Sequence, residues 1–123
     1  MATLLAGLLV LALPAATDLS GKWSGTFEAQ NARGETRSQP ILIILKQEGA
    51  KLSGTGGPDE SERHPILNGK VDGDKLTLEV SAGHAKIYFD LKATETELSG
   101  RMRRVRADGT TSDTAKIILK RAQ

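Results

Sequence analysis

Apolar and polar residues alternate along most of the chain after Thr17. The alternating segments are short, rich in Ile, Leu, Val and Thr, and separated by clusters of Gly, Asp and Asn. A period of two between turn residues is typical of antiparallel β-strands. We predict eight strands, over residues 22–29, 39–47, 51–56, 65–71, 75–81, 85–93, 97–106 and 114–121.

The links between these strands predict their connectivity. Asp72-Gly73 and Asp108-Gly109 lie between alternating segments, where an Asp-Gly pair favours a tight hairpin because Gly accepts a positive φ. Eight strands joined in order form an up-and-down meander, which closes into a barrel. The sequence therefore predicts an all-β fold, a single antiparallel eight-stranded up-and-down barrel preceded by a signal peptide.

The first sixteen residues differ from the rest of the chain. Residues 2–16 carry no charge and end in small side chains. This run is shorter than the roughly 20 apolar residues that span a bilayer, and it resembles the apolar core of a secretory signal. We expect residues 1–16 to be a signal peptide cleaved near Ala15 or Ala16, residues 17–123 to be the barrel domain, and the mature protein to be periplasmic or extracellular without an integral membrane segment.

Composition excludes several classes of function. The chain has no Cys, so neither a disulfide framework nor a thiol nucleophile is available. Seventeen basic residues against fifteen acidic ones give a mixed surface, which disfavours a nucleic-acid partner. No Ser lies in a nucleophile elbow, and no base is placed beside one. We expect no enzymatic activity, no cofactor and no metal site.

The start of the first strand and the end of the last strand are predicted to meet at one end of the barrel. Gly21-Lys22-Trp23 opens the first strand and Lys120-Arg121 closes the last. With eight strands the chain enters and leaves at one end, and Arg121 shares its face with the inward Ile117 and Leu119. A Gly-x-Trp on the first strand with a basic residue on the last resembles the calycin barrels, such as lipocalins and avidins. The resemblance implies a structural plug of Gly21, Trp23 and Arg121, with a cation–π contact.

Within that group, the order of short sequence motifs along the chain most resembles the avidins. It also resembles small exported bacterial barrels of unassigned function. The resemblance runs through Leu19-Ser20-Gly21-Lys22-Trp23, then Lys51-Leu52-Ser53-Gly54-Thr55, then Glu97-Leu98-Ser99-Gly100-Arg101. Residues 57–64 fall where avidins carry a flexible lid. Avidin sites surround biotin with several tryptophans, whereas this chain has one, so the resemblance does not extend to biotin.

If one end is plugged, a site is expected at the other. There the sequence predicts long loops over residues 30–38, 57–64 and 107–113, together with inward arginines late in strand 7. Such arginines can hold a carboxylate or phosphate through paired hydrogen bonds. The candidate ligand-binding residues are Arg104, Arg106, Arg63, His64, Arg37 and His84.

Two functions remain open at this point. The first is an exported binding protein that holds a small anionic or amphiphilic ligand at the mouth of the barrel. The alternative is a protein-binding or inhibitory barrel that acts through its loops, or through apolar residues of strand 2, with no small ligand. We expect a shallow pocket, with room left by inward glycines at positions 25, 54, 56, 69 and 100.

Overall fold

The computed structural model describes residues 18–30, 33–111 and 114–122. The expected signal peptide and its cleavage site lie outside these ranges. The strands are β1 (Gly21–Gln30), β2 (Thr36–Glu48), β3 (Lys51–Asp59), β4 (Glu62–Asp72), β5 (Lys75–Ala82), β6 (Ala85–Ala93), β7 (Glu97–Val105) and β8 (Ala115–Arg121).

The eight strands form one closed barrel. Each strand pairs antiparallel with the next, and β8 returns to pair with β1 through Trp23–Arg121 and Phe27–Ile117. The predicted fold class, an all-β eight-stranded antiparallel barrel, is therefore confirmed. In the ranges given above, no helix has the length and the apolar character needed to cross a membrane.

Several strands are longer than predicted at the open end. β2 begins at Thr36 rather than 39, β3 continues to Asp59, and β4 begins at Glu62. The predicted long loop over 57–64 is wrong, because these residues form the two arms of a hairpin in which Asp59 pairs with Glu62. Pro58 is accommodated within this hairpin because the β3–β4 register shifts between Gly56 and Asp59, where fewer backbone donors are needed.

The core fills the half of the barrel where β1 begins and β8 ends, here called the sealed end. Alternate residues of every strand point inward, as the period of two requires. Burying each of these side chains contributes about 1.5–3 kcal/mol. The most fully buried large side chains are Trp23, Ile43, Leu76, Leu98, Ile117 and Leu119.

Trp23 and Arg121 lie together at the sealed end. The indole is fully buried, and the guanidinium carbon of Arg121 lies 4.4 Å from the ring centroid. Arg121 also donates from Nη2 to the carbonyl of Asp18 at 2.5 Å, from Nη1 to that of Ser20 at 3.2 Å, and from Nε to that of Glu95 at 3.3 Å. The Arg121 side chain thus connects the segment before β1, strand β8 and the β6–β7 turn around the Trp23 ring.

The segment before β1 is part of the plug. Leu19 is buried in the core, and its carbonyl accepts a 2.9 Å hydrogen bond from Trp23 Nε1. Its amide donates to Gln47 Oε1 at 2.8 Å, while the amide of Gln47 donates to Ser20 Oγ at 2.9 Å. These bonds satisfy polar groups that would otherwise be buried without a partner. The segment before β1 therefore closes the sealed end of the barrel.

Most inward glycines do not make room in the interior, contrary to expectation. A Cβ built on Gly25 would lie 1.9 Å from the carbonyl oxygen of Ile118, and one on Gly54 would lie 1.9 Å from that of Ile44. Gly69 and Gly100 meet neighbouring backbone at 2.3 and 2.1 Å. These glycines allow adjacent strands to approach closely where the sheet bends. Gly56 alone among the five faces side chains, with Val80 Cγ2 at 3.3 Å.

Candidate functional site

The open half of the barrel contains a cavity of about 1090 Å³, here called the cup. Its volume is at the upper end of the roughly 300–1,000 Å³ of typical ligand pockets, so the predicted shallow pocket underestimates it. The apolar floor and lower wall consist of Phe27, Ile41, Val80, Ile87, Phe89 and Met102.

The cup exists because small residues occupy inward positions near the mouth. Ala29, Gly56, Ala82 and Ala115 line it on four different strands. Nearer the sealed end, the inward positions of β5 and β8 carry Leu76, Leu78, Ile117 and Leu119 instead. The sequence signal for the cup was therefore a change from large to small inward side chains. The expectation that inward glycines leave room in the interior is correct at Gly56.

Arg104 on β7 and Arg106, which follows the strand directly, line the upper wall. They follow Met102 at intervals of two, so they continue its inward face. Arg106 is positioned by the β7–β8 turn: its Nη1 donates to Thr110 Oγ1 at 3.4 Å, and its amide donates to the carbonyl of Thr110 at 2.8 Å. Arg101, Arg103 and Lys116 also line the cup, so the wall above the apolar floor is basic.

β4 contributes a histidine and a carboxylate to the same mouth. His64 pairs with Gly56 in the register and is half-buried, so its imidazole points inward. Its Nε2 lies 3.5 Å from Oε2 of Glu62, which is two residues earlier on the same face. Glu62 was not among the predicted site residues, because a carboxylate in a presumed loop gave no signal about its direction.

A second cavity of about 730 Å³ adjoins the cup at its edge, here called the rim niche. It lies between the β5–β6 turn, the start of the β7–β8 link and the first residues of β4. The residues that line it are Glu62, His64, Ala82, Gly83, His84, Ala85, Arg104, Arg106, Ala107 and Asp108. His84 thus lies in the niche and not in the cup.

The other two predicted binding residues lie elsewhere. Arg63 alternates with His64 and is exposed on the outer face of β4, and it lines neither cavity. Arg37 lies above the mouth, where β2 pairs with β1 but no longer with β3, and it also lines neither. Within the described ranges, no three metal-ligating side chains cluster together.

The β3–β4 hairpin folds back over the outside of the barrel. Lys22 Nζ on β1 forms a 2.8 Å ion pair with Glu60 Oε1 at the hairpin tip. Because β2 lies between β1 and β3, this contact takes the tip across the outer face of β2. Leu42 points outward from that face and is nevertheless only 9% exposed. The outer apolar residues of β2, which the sequence offered as a protein-binding surface, are therefore largely covered.

The hairpin tip contains two carboxyl groups with lowered pKa values. Asp59 Oδ1 accepts hydrogen bonds from Ser61 Oγ at 2.7 Å, Ser61 N at 2.9 Å and Glu62 N at 3.0 Å, and these hold the pKa of Asp59 below its usual value. The hydrogen bond and the charge of Lys22 lower the pKa of Glu60. Both groups therefore stabilise the folded hairpin in their ionised form.

We expect acid to weaken the closure of this hairpin. Since the folded pKa values lie below the ordinary ones, the stabilisation is present above about pH 4.5 and is lost as pH falls through the folded values. Glu60→Gln should therefore lower the free energy of unfolding at pH 7, and its effect should shrink as pH falls, as measured by urea denaturation. In a Lys22→Gln background much of that pH-dependent difference should disappear. An effect of Glu60→Gln that is independent of pH would contradict this account.

No protein-family model matches this chain, and no curated protein matches it either. Functional inference therefore depends on the geometry described above. The barrel has one filled end and one open cup, with an apolar floor, two arginines on one wall, and a histidine–carboxylate pair on another.

Proposed function

We propose that this protein binds a small amphiphile with an acidic group in the cup. The observation that carries the proposal is the layering of the cup, with an apolar floor beneath Arg104 and Arg106. An apolar tail gains free energy by leaving water for the floor. A carboxylate or phosphate can then accept charge-assisted hydrogen bonds from guanidinium groups at the level of the rim.

We further propose that the barrel is a calycin-type protein that acts after export to the periplasm or the extracellular space. Two observations support this proposal: the contact between Trp23 and Arg121, and the closed up-and-down order of the eight strands. The uncharged run over residues 2–16 supports export.

A protein-binding role through an apolar surface has less support. Large apolar side chains that are exposed within the described ranges are Leu67, at 39%, and Ile118, at 49%. They lie on β4 and β8, on opposite sides of an eight-stranded barrel, so they form no common patch. Binding through the loops without a small ligand is the outcome that the experiment below would favour if the cup does not bind.

The test is to fill the cup from the inside. Gly56 has an ordinary φ and points into the cup, so Gly56→Leu adds a side chain there without backbone strain. Decanoate binding, measured by isothermal titration calorimetry, should weaken at least about tenfold. Ser53→Leu adds the same side chain to the outer face of the same strand and should leave binding unchanged.

The acidic group is tested separately. Arg106→Gln should weaken decanoate binding about tenfold, because a hydrogen bond to a charged group is worth about 1.5–3 kcal/mol, and should leave decanol binding nearly unchanged. Decanoate binding that survives Gly56→Leu, or a wild-type protein that binds neither probe, would exclude the cup as the site. Native mass spectrometry of protein from its own host would then show whether a protein partner co-purifies instead.

A further inference from the structure

The cup and the rim niche share a boundary. Glu62, His64, Ala82, Arg104 and Arg106 line both cavities. A molecule with its tail on the apolar floor can therefore place its polar end among these five residues. Their chemistry decides which head group fits.

The charges at this boundary are of both signs and lie on different walls. Arg104 projects from β7, Arg106 follows directly after that strand, and Glu62 projects from β4. Between them β5, β6 and their turn contribute small residues, Ala82, Gly83 and Ala85, to the niche. In the part of the chain that the structure describes, Glu62 pairs with His64, and no ion pair joins Glu62 to Arg106. The Arg106 side and the Glu62 side of the niche thus carry opposite charges, and the carboxylate of Asp108 lies beside Arg106.

We infer that the head group is zwitterionic, with its acidic group against Arg106 and Arg104 and an ammonium group against Glu62. This inference rests on the proposed function and specifies its ligand. A purely anionic head would be attracted by the arginines but would face the Glu62 carboxylate, and like charges at close range are unfavourable. A zwitterion is complementary to both walls, and such complementarity of charge gives specificity.

A second carboxylate, that of Asp108, also lines the niche but is held by its own turn. Asp108 Oδ1 already accepts hydrogen bonds from Thr110 N at 2.9 Å and Thr110 Oγ1 at 2.7 Å. These bonds lower the pKa of Asp108 and direct it into its own turn. Glu62 is therefore the carboxylate that faces the head group.

The experiment compares head groups on a constant tail. Binding of n-decylphosphocholine, n-decyl phosphate and n-decyltrimethylammonium to the wild-type protein is measured by calorimetry below the micelle concentration of each. We expect n-decylphosphocholine to bind at least about tenfold more tightly than either singly charged probe. Arg106→Gln should weaken both phosphate-containing probes.

Glu62→Gln tests the ammonium contact directly. It should weaken n-decylphosphocholine about tenfold and strengthen n-decyl phosphate, so that the preference is lost or reversed. Asp90→Asn removes an exposed carboxylate on β6 that lines neither the cup nor the niche, and it should leave the preference unchanged.

The outcomes separate the two proposals. If n-decyl phosphate binds as tightly as n-decylphosphocholine, or if Glu62→Gln does not change their ratio, the zwitterionic head group is refuted while amphiphile binding stands. If none of the three probes binds and decanoate does not bind either, the proposed function fails and the inference fails with it.

Discussion

Trp23→Ala is expected to lower the free energy of unfolding by about 3–5 kcal/mol, the range for deleting a large buried aromatic side chain. The ring is fully buried at the sealed end, so its removal leaves a cavity that the rigid barrel cannot collapse to fill. It also leaves the carbonyl of Leu19 without the indole donor and Arg121 without the ring beneath it. Urea denaturation followed by circular dichroism measures the loss.

Two further variants separate the contributions to the plug. Trp23→Phe keeps an aromatic ring but removes the Nε1 donor, so its cost should be intermediate. Arg121→Ala should cost less than Trp23→Ala, since the guanidinium is partly in solvent and a cation–π contact at an exposed site is worth about 0.5–1 kcal/mol. A Trp23→Ala variant that loses less than about 1 kcal/mol would show that the ring does not support the barrel.

Gly25→Ala is expected to cost about 3 kcal/mol or more, although it adds only a methyl group. Inserting atoms into a packed interior typically costs about 1–3 kcal/mol, and here the obstacle is backbone, which cannot rotate away. The new Cβ would lie 1.9 Å from the carbonyl oxygen of Ile118 and 2.9 Å from the Cα of Leu119. β1 and β8 would have to separate at the position where the first and last strands close the barrel.

The matched control is Gly56→Ala. This glycine also lies inside a strand on the inner face, but its Cβ would meet only side chains, at 3.3 Å and beyond. Its cost should be clearly smaller than that of Gly25→Ala, at the lower end of about 1–3 kcal/mol, because only the Val80 side chain has to shift. Thermal denaturation of both variants checks the contrast, and equal destabilisation would mean that backbone contact is not the cause.

The strand order and the inner face followed from sequence because the period of two is a local property. Alternation identified Leu76, Leu78, Phe89 and Leu91 as one face, and the structure buries all four. The same count assigned Arg121 rather than Lys120 to the inner face, and the guanidinium of Arg121 lies over Trp23. Barrel closure then required only that strands joined in order pair in order.

The errors arose where tertiary contacts override local pattern. Glycines on the inner face were expected to leave room in the interior, but at Gly25 and Gly54 the backbone of the adjacent strand fills that volume. Residues 57–64 were predicted to be a loop because the register shift between Gly56 and Asp59 is not visible in the sequence. The folding of the hairpin over β2 depends on the contact between Lys22 and Glu60, which are 38 residues apart.

The candidate site was only partly predictable for a related reason. Arg104 and Arg106 were expected at the mouth because they continue the inward alternation of Met102, and both line the cup. His64, Arg63 and Arg37 were assigned through expected loops; His64 lines the cup, whereas Arg63 and Arg37 line neither cavity. Glu62 fell in the expected loop over 57–64, so its inward direction, which depends on β4 beginning at Glu62, was not predicted.

The position of the two chain ends has a practical consequence. β1 begins and β8 ends at the sealed end, where Trp23 pairs with Arg121, while the cup opens at the opposite end. A tether joined before Asp18 or after Ala122 therefore leaves the barrel on the side away from the mouth. The protein could be immobilised on a sensor surface, or fused to a reporter, by either end with every copy presenting its mouth to the solution.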